Sequence, residues 1–333
     1  KVLRLEKRLG YVHKGIEKRF ENLHLDESQR LAARVSGDSA VAFGWAYCAA
    51  LEALAGGEVP PRALALRALL LERERIANHL GDLGALGNDA GFAFGLSQFS
   101  RLKEDLLRAN AAAFGARYPF DHVVPGGVAA DLAADAIARL RAQGESFAEA
   151  VTDLRAIYAE HAGLQDRLRT TGQITPELAV RLGAVGLAAR ASGQARDLRS
   201  DLPWAPYGEA LQVQAASRAD GDVAARVEVR FDEVLASLDL CRRLLDDLPD
   251  GAVRAAPGTV PAGELGVGLV EGWRGPVMVA LEAGAGGRVR RCHPHDPSWQ
   301  NWPLLEHAIL GNIVPDFPLI NKSFNLSYSG HDL

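Results

Sequence analysis

Cysteine is scarce in this sequence, and long apolar runs are absent from it. The chain has 333 residues and three cysteines, Cys48, Cys241 and Cys292, which form no C-x-x-C pair. Such spacing indicates neither a disulfide framework nor a zinc or iron–sulfur site, and it fits a reducing compartment best. No run reaches the roughly 18 to 20 apolar residues that a helix needs to cross a bilayer. We therefore expect membrane association only through partners, without a direct membrane span.

Neither sign of charge dominates the chain. The net charge is −5, 24% of the residues are charged and 48% are hydrophobic. Because nucleic-acid binding needs a basic surface, we expect no nucleic-acid partner. The hydrophobic share suffices for a sizeable core, and no Pro/Ser-rich linker divides it. We predict a single domain over residues 1–333, with a helical core over about 1–255 and a small β and loop region over about 256–333.

Periodic apolar residues predict long helices in most of the chain. Pro60-Pro61 suits a first helical turn, and Leu69 and Ile76 lie on one face of the helix that follows. Over residues 222–248 the three-four spacing of apolar residues predicts a rod of about 40 Å. A single apolar stripe of this length is typical of a helical bundle.

Three short apolar runs near the C-terminus predict strands. They are Leu265–Glu271, Val277–Glu282 and Val289–Cys292, and Gly-rich turns separate them. The predicted fold class is therefore mainly α (α+β): a long-helix bundle core with a small antiparallel β appendage near the C-terminus.

Two segments have the frame of a metal-binding motif without its ligands. Residues 34–39, Arg-Val-Ser-Gly-Asp-Ser, have the frame R-x-C-G-x-C with serine in place of each cysteine. Residues 323–330, Ser-Phe-Asn-Leu-Ser-Tyr-Ser-Gly, have the frame S-x-D-P-C-x-x-C, again without either cysteine. Both segments resemble the large subunit of nickel–iron hydrogenases and the related 49 kDa quinone-site polypeptide of respiratory complex I, the NADH-quinone oxidoreductase. The resemblance is closest to hydrogenase-4 and formate hydrogenlyase-type large subunits.

Further motifs of this family follow in family order along nearly the whole chain. They are Leu9–Lys18, Val59–Ala63, Glu74–Leu80, Pro125–Val128, Ala191–Gly193, Pro261–Gly266 and Val314–Asp316. The resemblance implies a hydrogenase-large-subunit-like fold. In the family the first of these motifs follows some N-terminal strands, so we expect an N-terminally truncated chain. In the complex I relatives a histidine of those strands faces the quinone.

The resemblance also implies a metal site that has lost its ligands. The four cysteine positions of the family fall on Ser36, Ser39, Ser327 and Gly330. A serine hydroxyl is a hard donor that stays protonated near neutral pH, and glycine has no side chain, so neither replaces a soft thiolate. We expect no metal on this chain and no hydrogenase activity of its own. The alternative interpretation of the two early serines is that they only close a turn.

In the complex I relatives this cavity holds a quinone, which an iron–sulfur cluster on a neighbouring subunit reduces. The resemblance places Arg34 close to that cluster and Asp89 in the quinone chamber. The chain departs from the family pattern at Gly37, where the quinone-binding tyrosine is expected, and at Pro119, where a histidine is expected. The plainer alternatives are an ordinary buried ion pair for Arg34 and a helix-end cap for Asp89. The full set of cavity candidates is Arg34, Ser36, Gly37, Asp38, Ser39 and Asp89.

The function that the resemblance implies is that of a nickel-free subunit of a membrane-bound, NADH dehydrogenase-like oxidoreductase complex. Its expected partners are a small iron–sulfur subunit and ion-pumping membrane subunits, on the cytoplasmic face of the cell membrane. The expected ligand of the cavity is a quinone. The alternative is a non-catalytic scaffold whose cavity has closed.

The state of the cavity distinguishes these two functions. A redox chamber would stay open and be lined by Asp38 and Asp89. A scaffold would fill the same space with side chains of Phe92, Phe94 and Phe317.

Three further segments carry weaker expectations. Residues 321–328 are predicted to plug or line the old metal chamber. Residues 292–296, Cys-His-Pro-His-Asp, are predicted to form a solvent-facing loop because the proline imposes an extended turn. His79, on the flank of an apolar stripe, is expected to be a packing histidine.

Overall fold

Helices form most of the computed structural model, which describes all 333 residues. The helices are α1 (Ile16–Phe20), α2 (Gln29–Ala32), α3 (Ala40–Ala55), α4 (Pro61–Asp89), α5 (Ala93–Phe114), α6 (Ala134–Glu160), α7 (Ala162–Leu168), α8 (Pro176–Arg181), α9 (Gly186–Arg190), α10 (Leu198–Asp201), α11 (Val223–Asp246), α12 (Ser298–Ala308), α13 (Phe317–Phe324) and α14 (Tyr328–Asp332). Short 3-10 helices lie at Ala285–Gly287 and Val314–Asp316. None of the helices is both long and apolar enough to cross a membrane.

The strands form two small antiparallel sheets. A two-stranded hairpin joins β1 (Val123–Val124) and β2 (Gly127–Val128), and a three-stranded meander consists of β3 (Leu265–Glu271), β4 (Pro276–Ala283) and β5 (Val289–His295). In the meander Val267 pairs with Ala280, and Leu281 pairs with Cys292. The predicted fold class is confirmed, because a long-helix bundle carries a small antiparallel sheet near the C-terminus.

Two long helices begin where local sequence signals favour a start. Pro61 is the first residue of α4, where its missing N–H leaves no hydrogen bond unmade. At the start of α11 the Asp222 carboxylate accepts a 2.8 Å hydrogen bond from the Ala225 N–H. Both helices pack side by side with neighbours, α4 against α5 and α11 against α4 and α6. Their apolar faces belong to one contiguous core that also includes the inner face of the meander.

Helix α3 joins the bundle to the meander. Most of its residues are buried, since it packs on α4 on one side and on β3 on the other. Gly266 and Gly268 of β3 lie directly against the α3 backbone, where a Cβ on either residue would overlap a main-chain carbonyl oxygen of Ala50 or Ala46. This close approach brings the start of α3 next to the turn between β3 and β4. The candidate site forms at this junction.

Candidate functional site

The two serine-substituted motifs meet in space. The Oγ atoms of Ser36 and Ser327 are 2.8 Å apart, although 291 residues separate them in the chain. Ser36 lies in the loop before α3, and Ser327 caps α14 by accepting a hydrogen bond from the Gly330 N–H at 2.8 Å. Both serines are buried, with 3% and 6% of their surface exposed. The two motifs therefore contact each other directly, hydroxyl to hydroxyl.

An ion pair between Arg274 and Asp38 occupies the same place. One guanidinium nitrogen of Arg274 bonds Asp38 Oδ2, and another donates to Ser39 Oγ at 3.2 Å. Asp38 Oδ1 also accepts a 2.6 Å hydrogen bond from the Ser36 hydroxyl. Burial alone would raise the pKa of Asp38, but the charge and hydrogen bonds of Arg274 outweigh it and lower the pKa. Asp38 is therefore a carboxylate, and the centre of the site is a guanidinium.

The turn between β3 and β4 fixes the Arg274 guanidinium. Its central carbon lies 4.0 Å from the centre of the Trp273 ring, and its Nε donates to the Asn325 carbonyl oxygen at 2.5 Å. The Trp273 indole N–H and the Asn78 side-chain amide each donate to the Asp38 carbonyl oxygen at 2.8 Å. The pair is thus held from the turn, from α4 and from the C-terminal segment, and the Arg274 side chain is 3% exposed.

Glu74 connects the site to the first turn of α3. Its carboxyl oxygens accept hydrogen bonds from the Val41 N–H at 2.7 Å and the Ala42 N–H at 3.2 Å. These N–H groups have no partner within the helix, so the carboxyl group satisfies them. Burial raises the pKa of Glu74 to about 8, and the negative charge of Asp38 adds to the shift. A second acid beside Asp38 therefore binds a proton near neutral pH.

Asp296 is buried beneath the last turn of the chain. It follows directly after β5, and its accessible surface is 0%. Its Oδ1 accepts a 2.8 Å hydrogen bond from the Ser298 N–H, whereas Oδ2 has no partner. The prediction of a solvent-facing loop over residues 292–296 was wrong, because residues 292–295 form the end of β5 and none of the five is exposed. The proline is tolerated there because β5 is an edge strand of the meander.

The side chains at the four positions where the resemblance predicts metal ligands do not fit a nickel–iron centre. Ser36 and Ser327 bond each other directly, Ser39 bonds Arg274, and Gly330 offers no side-chain donor atom. Nowhere do three or more His, Cys, Asp or Glu side chains cluster in a way that could hold a metal ion. The Arg274 guanidinium, which bonds Ser39, would also repel a metal cation bound beside it. The donor set and the resident positive charge both disagree with a metal site.

Arg34 and Gly37 lie on the outer face of the first motif. Arg34 forms a two-pronged ion pair with Asp121, with N···O distances of 2.6 and 2.8 Å, and both side chains are nearly half exposed. Its guanidinium also lies 5.4 Å from the centre of the Phe120 ring. Gly37 is exposed, and a Cβ on it would lie 3.7 Å from that same ring. Both residues therefore face outward beside an aromatic side chain, whereas Pro119 is buried.

Asp89 does not touch the other candidates. It ends α4 and forms an ion pair with Lys322 of α13, with an N···O distance of 2.7 Å. The link to the site runs through Asp82, two helical turns earlier. Asp82 Oδ1 accepts a 2.7 Å hydrogen bond from the Asn325 side chain, and Asn325 in turn accepts the bond from Arg274. The C-terminal segment therefore connects the Asp89 end of α4 to the two motifs.

His79 lies behind Trp273 at the edge of a larger buried ionic network. Its Nε2 is 2.7 Å from Glu233 Oε2, its ring packs edge-on against the indole, and it is fully buried. Glu233 also accepts a 2.6 Å hydrogen bond from the Arg190 Nε. Burial lowers the pKa of His79, so the imidazole is neutral near pH 7. The expected packing histidine is therefore also a hydrogen-bonding one.

The phenylalanines that a closed apolar cavity would require lie elsewhere. Phe92 packs against Phe94, Tyr158 and His161, with ring centres 4.6 to 5.7 Å apart. Phe94 is 48% exposed. Phe317 is partly buried at the start of α13. Polar and charged side chains, not aromatic ones, fill the space between the two motifs.

Sequence reasoning missed several residues of the site. They are Asn78, Asp82, Trp273, Arg274, Asp296, Ser298 and Asn325. Asp82 carried a usable signal, because it precedes Asp89 by seven residues and so shares its helix face. Arg274 carried a weaker one, as a charged residue in a short turn between two apolar strands. Asn325 lies in the second serine-substituted motif, so the sequence pointed to its segment but not to its bonds with Asp82 and Arg274. Asp296 carried no such signal, since its position depends on tertiary packing.

Residues 89–260 match the model of a protein family described as the respiratory-chain NADH dehydrogenase 49 Kd subunit. The chain is 32% identical to formate hydrogenlyase subunit 5 of Escherichia coli (strain K12), over 99% of its own length and 58% of that relative. It is also 32% identical to the carbon monoxide-induced hydrogenase of Rhodospirillum rubrum, over 98% of its own length and 90% of that relative. The NADH-quinone oxidoreductase subunit 4 of Thermus thermophilus is 28% identical, over 97% of this chain and 86% of that relative.

A solved structure has the same fold over the whole chain. It is the membrane-bound sulfane sulfur reductase (MBS), described as an archaeal respiratory membrane complex. One of its chains superimposes with a TM-score of 0.94 at 25% sequence identity, covering 100% of this chain and 92% of that one. The likeness therefore includes the bundle, the meander and the C-terminal segment together.

Proposed function

Because the chain belongs to the family that includes the 49 Kd subunit of respiratory-chain NADH dehydrogenase and the related hydrogenase large subunits, we propose that it is a nickel-free subunit of a membrane-bound redox complex. In this complex an iron–sulfur cluster on a small partner subunit would supply electrons next to the two serine-substituted motifs. The site would couple the electron's arrival to a change of charge in its ionic network. The whole chain would form a single domain that contains this site.

The observation that carries this proposal is the polarity of the filled site. A space that is merely closed is most stable when apolar side chains fill it, because a buried charge loses its hydration. A buried network of charged and hydrogen-bonded side chains, by contrast, responds strongly to one additional charge nearby. Coupling to a redox centre requires this response. The side chains that fill the space here are an ion pair, two hydroxyls and a second carboxyl group, namely Asp38, Arg274, Ser36, Ser39 and Asp296.

Arg34 and Gly37 supply the face on which the partner would dock. Both are exposed, and they lie within a few residues of the Asp38–Arg274 pair. A cation at this face would stabilise the reduced form of a cluster bound against it. A quinone would bind against the same outer face, where Gly37 has no side chain beside the Phe120 ring. Any attachment to the cytoplasmic face of a membrane would come from ion-pumping partner subunits.

The alternative function is a scaffold that holds partner subunits and performs no chemistry. The direct contact between Ser36 and Ser327 favours it, since it leaves no gap between these two positions. The buried charges count against it, because a scaffold gains nothing from them.

The deciding experiment uses the assembled complex, purified through a tag on this subunit. Iron and nickel are measured by mass spectrometry, and electron transfer to a soluble quinone analogue is assayed. We expect iron without stoichiometric nickel, and we expect Arg274→Lys and Asp38→Asn to reduce the rate at least tenfold with assembly intact. Asp135→Asn is the matched control, because Asp135 forms an exposed ion pair on α6.

Three outcomes would argue against the proposal. Stoichiometric nickel would restore a metal centre to the site. A complex without iron would leave no electron donor beside it. Equal rates in the wild type, both site variants and the control would favour the scaffold.

A further inference from the structure

Asp296 is a buried acid for which the loss of hydration outweighs the stabilisation that Arg274 and Ser298 give to a negative charge. Its accessible surface is 0%, and only Oδ1 has a hydrogen-bond donor, the Ser298 N–H. Oδ2 is buried and without a partner. An isolated carboxylate in this position would lose its hydration without replacement.

Gly330 provides the space that this carboxyl group occupies. A Cβ built on Gly330 would lie 2.6 Å from Asp296 Oδ2 and 2.7 Å from its Cγ. Real Cβ atoms do not approach other heavy atoms so closely, so any side chain at position 330 would have to displace the carboxyl group. The acid therefore occupies the space in which any side chain at position 330 would begin.

Two charged groups face Asp296 and act in opposite directions. Arg274, in the turn between β3 and β4, favours the carboxylate through its charge, but its hydrogen bonds go to Asp38, Ser39 and the Asn325 carbonyl oxygen. Asp38, in the loop before α3, adds a negative charge that disfavours a second carboxylate. The Arg274 guanidinium is therefore already hydrogen-bonded to the Asp38 carboxylate, and none of its hydrogen bonds goes to Asp296.

The helices packed on Asp296 supply little further charge. Helix α12 contributes the Ser298 N–H, and α14 contributes the Gly330 backbone. The one basic residue of α14 is His331, whose ring stacks on Trp299 with ring centres 5.3 Å apart and which pairs with Asp332. Neither helix therefore provides a cation bonded to the Asp296 carboxyl group.

We propose that Asp296 is a proton-binding site, with the proton on Oδ2 against Gly330. Binding converts the carboxylate and one proton into a neutral acid, so the charge of the site rises by one unit. Burial raises the pKa of this carboxyl group, which agrees with the geometry. The inference rests on the proposed function and deepens it, since it names a buried group that would hold a proton beside the proposed path of the electron. Its test requires no redox assay, so a failure of this inference can be distinguished from a failure of the proposed function.

Infrared spectroscopy of the purified complex tests the proposal. The wild-type minus Asp296→Asn difference spectrum at pH 7 should contain the carbonyl stretching band of one protonated carboxyl group. Asp135→Asn, which removes an exposed carboxylate, should change only the carboxylate bands. If Asp296→Asn does not fold, Asp296→Ser removes the same acid with a smaller side chain. A difference spectrum that contains only carboxylate bands would overturn the proposal.

A double-mutant cycle tests the geometry independently. Gly330→Ala should lower stability strongly in the wild type, because the new Cβ overlaps the carboxyl group. In an Asp296→Gly background the same change should have much less effect, since the overlapping atoms are gone. Equal effects in both backgrounds would show that the carboxyl group does not occupy this space and would overturn the assignment.

Discussion

The Arg274–Asp38 pair shows how a single residue can determine the character of a buried site. Arg274 is almost fully buried, and its donors serve a carboxylate, a hydroxyl and a main-chain carbonyl. Ser36 and Ser39, in the first serine-substituted motif, each bond a member of this pair. The positive charge of the site is therefore part of the protein. Arg274 supplies this charge without a bound metal ion.

Removing this charge should destabilise the fold. In Arg274→Gln the partly buried Asp38 loses its cation, and we expect the free energy of unfolding to fall by about 3 kcal/mol. The lower end of the usual range applies because the Asp38 side chain is 36% exposed. Equilibrium denaturation of the chain measures the change. Adding Asp38→Asn should recover much of the loss, and Arg139→Gln, in an exposed pair, should cost less than about 1 kcal/mol.

His79 should make stability depend on pH in the acid range. Burial lowers its pKa in the folded state, so below about pH 6.5, the ordinary value, the unfolded chain binds a proton that the folded chain does not. Stability should therefore fall as the pH falls, by up to about tenfold in the unfolding constant per pH unit. Denaturation curves of wild type and His79→Gln between pH 5 and 8 measure this dependence.

The histidine variant should have the flatter profile, since glutamine does not titrate and still donates to Glu233. The exposed His24 is the control, and His24→Gln should keep the wild-type slope. Identical slopes in His79→Gln and the wild type would contradict the prediction.

Among the elements, the contact between α3 and β3 positions the whole site. It sets the distance between the first motif at the start of α3 and Arg274 in the turn after β3. Gly268 lies in a regular part of the strand, and a Cβ there would overlap the Ala46 carbonyl oxygen. Gly268→Ala should therefore lower stability by about 3 kcal/mol through overlap alone.

Gly144 of α6 is the matched control for this substitution. A Cβ there meets nothing within 4 Å, so Gly144→Ala should raise stability by up to about 1 kcal/mol through helix propensity. Thermal or denaturant unfolding should show opposite signs for the two alanine variants. The same sign for both would mean that β3 does not rest on the α3 backbone.

The C-terminal segment acts as a second positioning element. Its side chains make three contacts with the loop before α3 and with α4: Ser327 bonds Ser36, Asn325 bonds Asp82, and Lys322 pairs with Asp89. Deleting residues 322–333 should therefore prevent assembly of the complex, as measured by co-purification. Unchanged assembly and activity would contradict this role.

A milder variant separates the segment's contacts from its presence. Asn325 has φ 45°, a left-handed conformation that glycine adopts without strain. Asn325→Gly removes the amide that donates to Asp82 and keeps the carbonyl that accepts from Arg274. We expect a loss of about 2 kcal/mol in the free energy of unfolding, since the lost hydrogen bond involves a carboxylate.

For the whole molecule, local sequence patterns predicted the long helices and the strands, because their apolar periods are regular. The three strand runs and the helix over residues 222–248 are present with ends shifted by a few residues. The two serine-substituted motifs were also predicted to belong to one site, and their Ser36 and Ser327 hydroxyls are in contact. The resident cation was not predicted. Arg274 and Asp296 become neighbours of the motifs only through the packing of the meander on α3, which local patterns do not encode.

The outer face of the site is where the whole molecule would meet its partner. Arg34 is exposed there, paired with Asp121 and close to the Phe120 ring. Arg34→Glu places two like charges side by side at this face, so the iron–sulfur partner should dissociate faster and be recovered in lower yield at physiological salt. Arg139→Glu makes the same change beside Asp135 on α6 and should leave recovery unchanged. If both variants recover the partner equally, the docking face lies elsewhere. If only Arg34→Glu loses it, the partner docks on the face beside the buried Arg274 cation, as the proposed function requires.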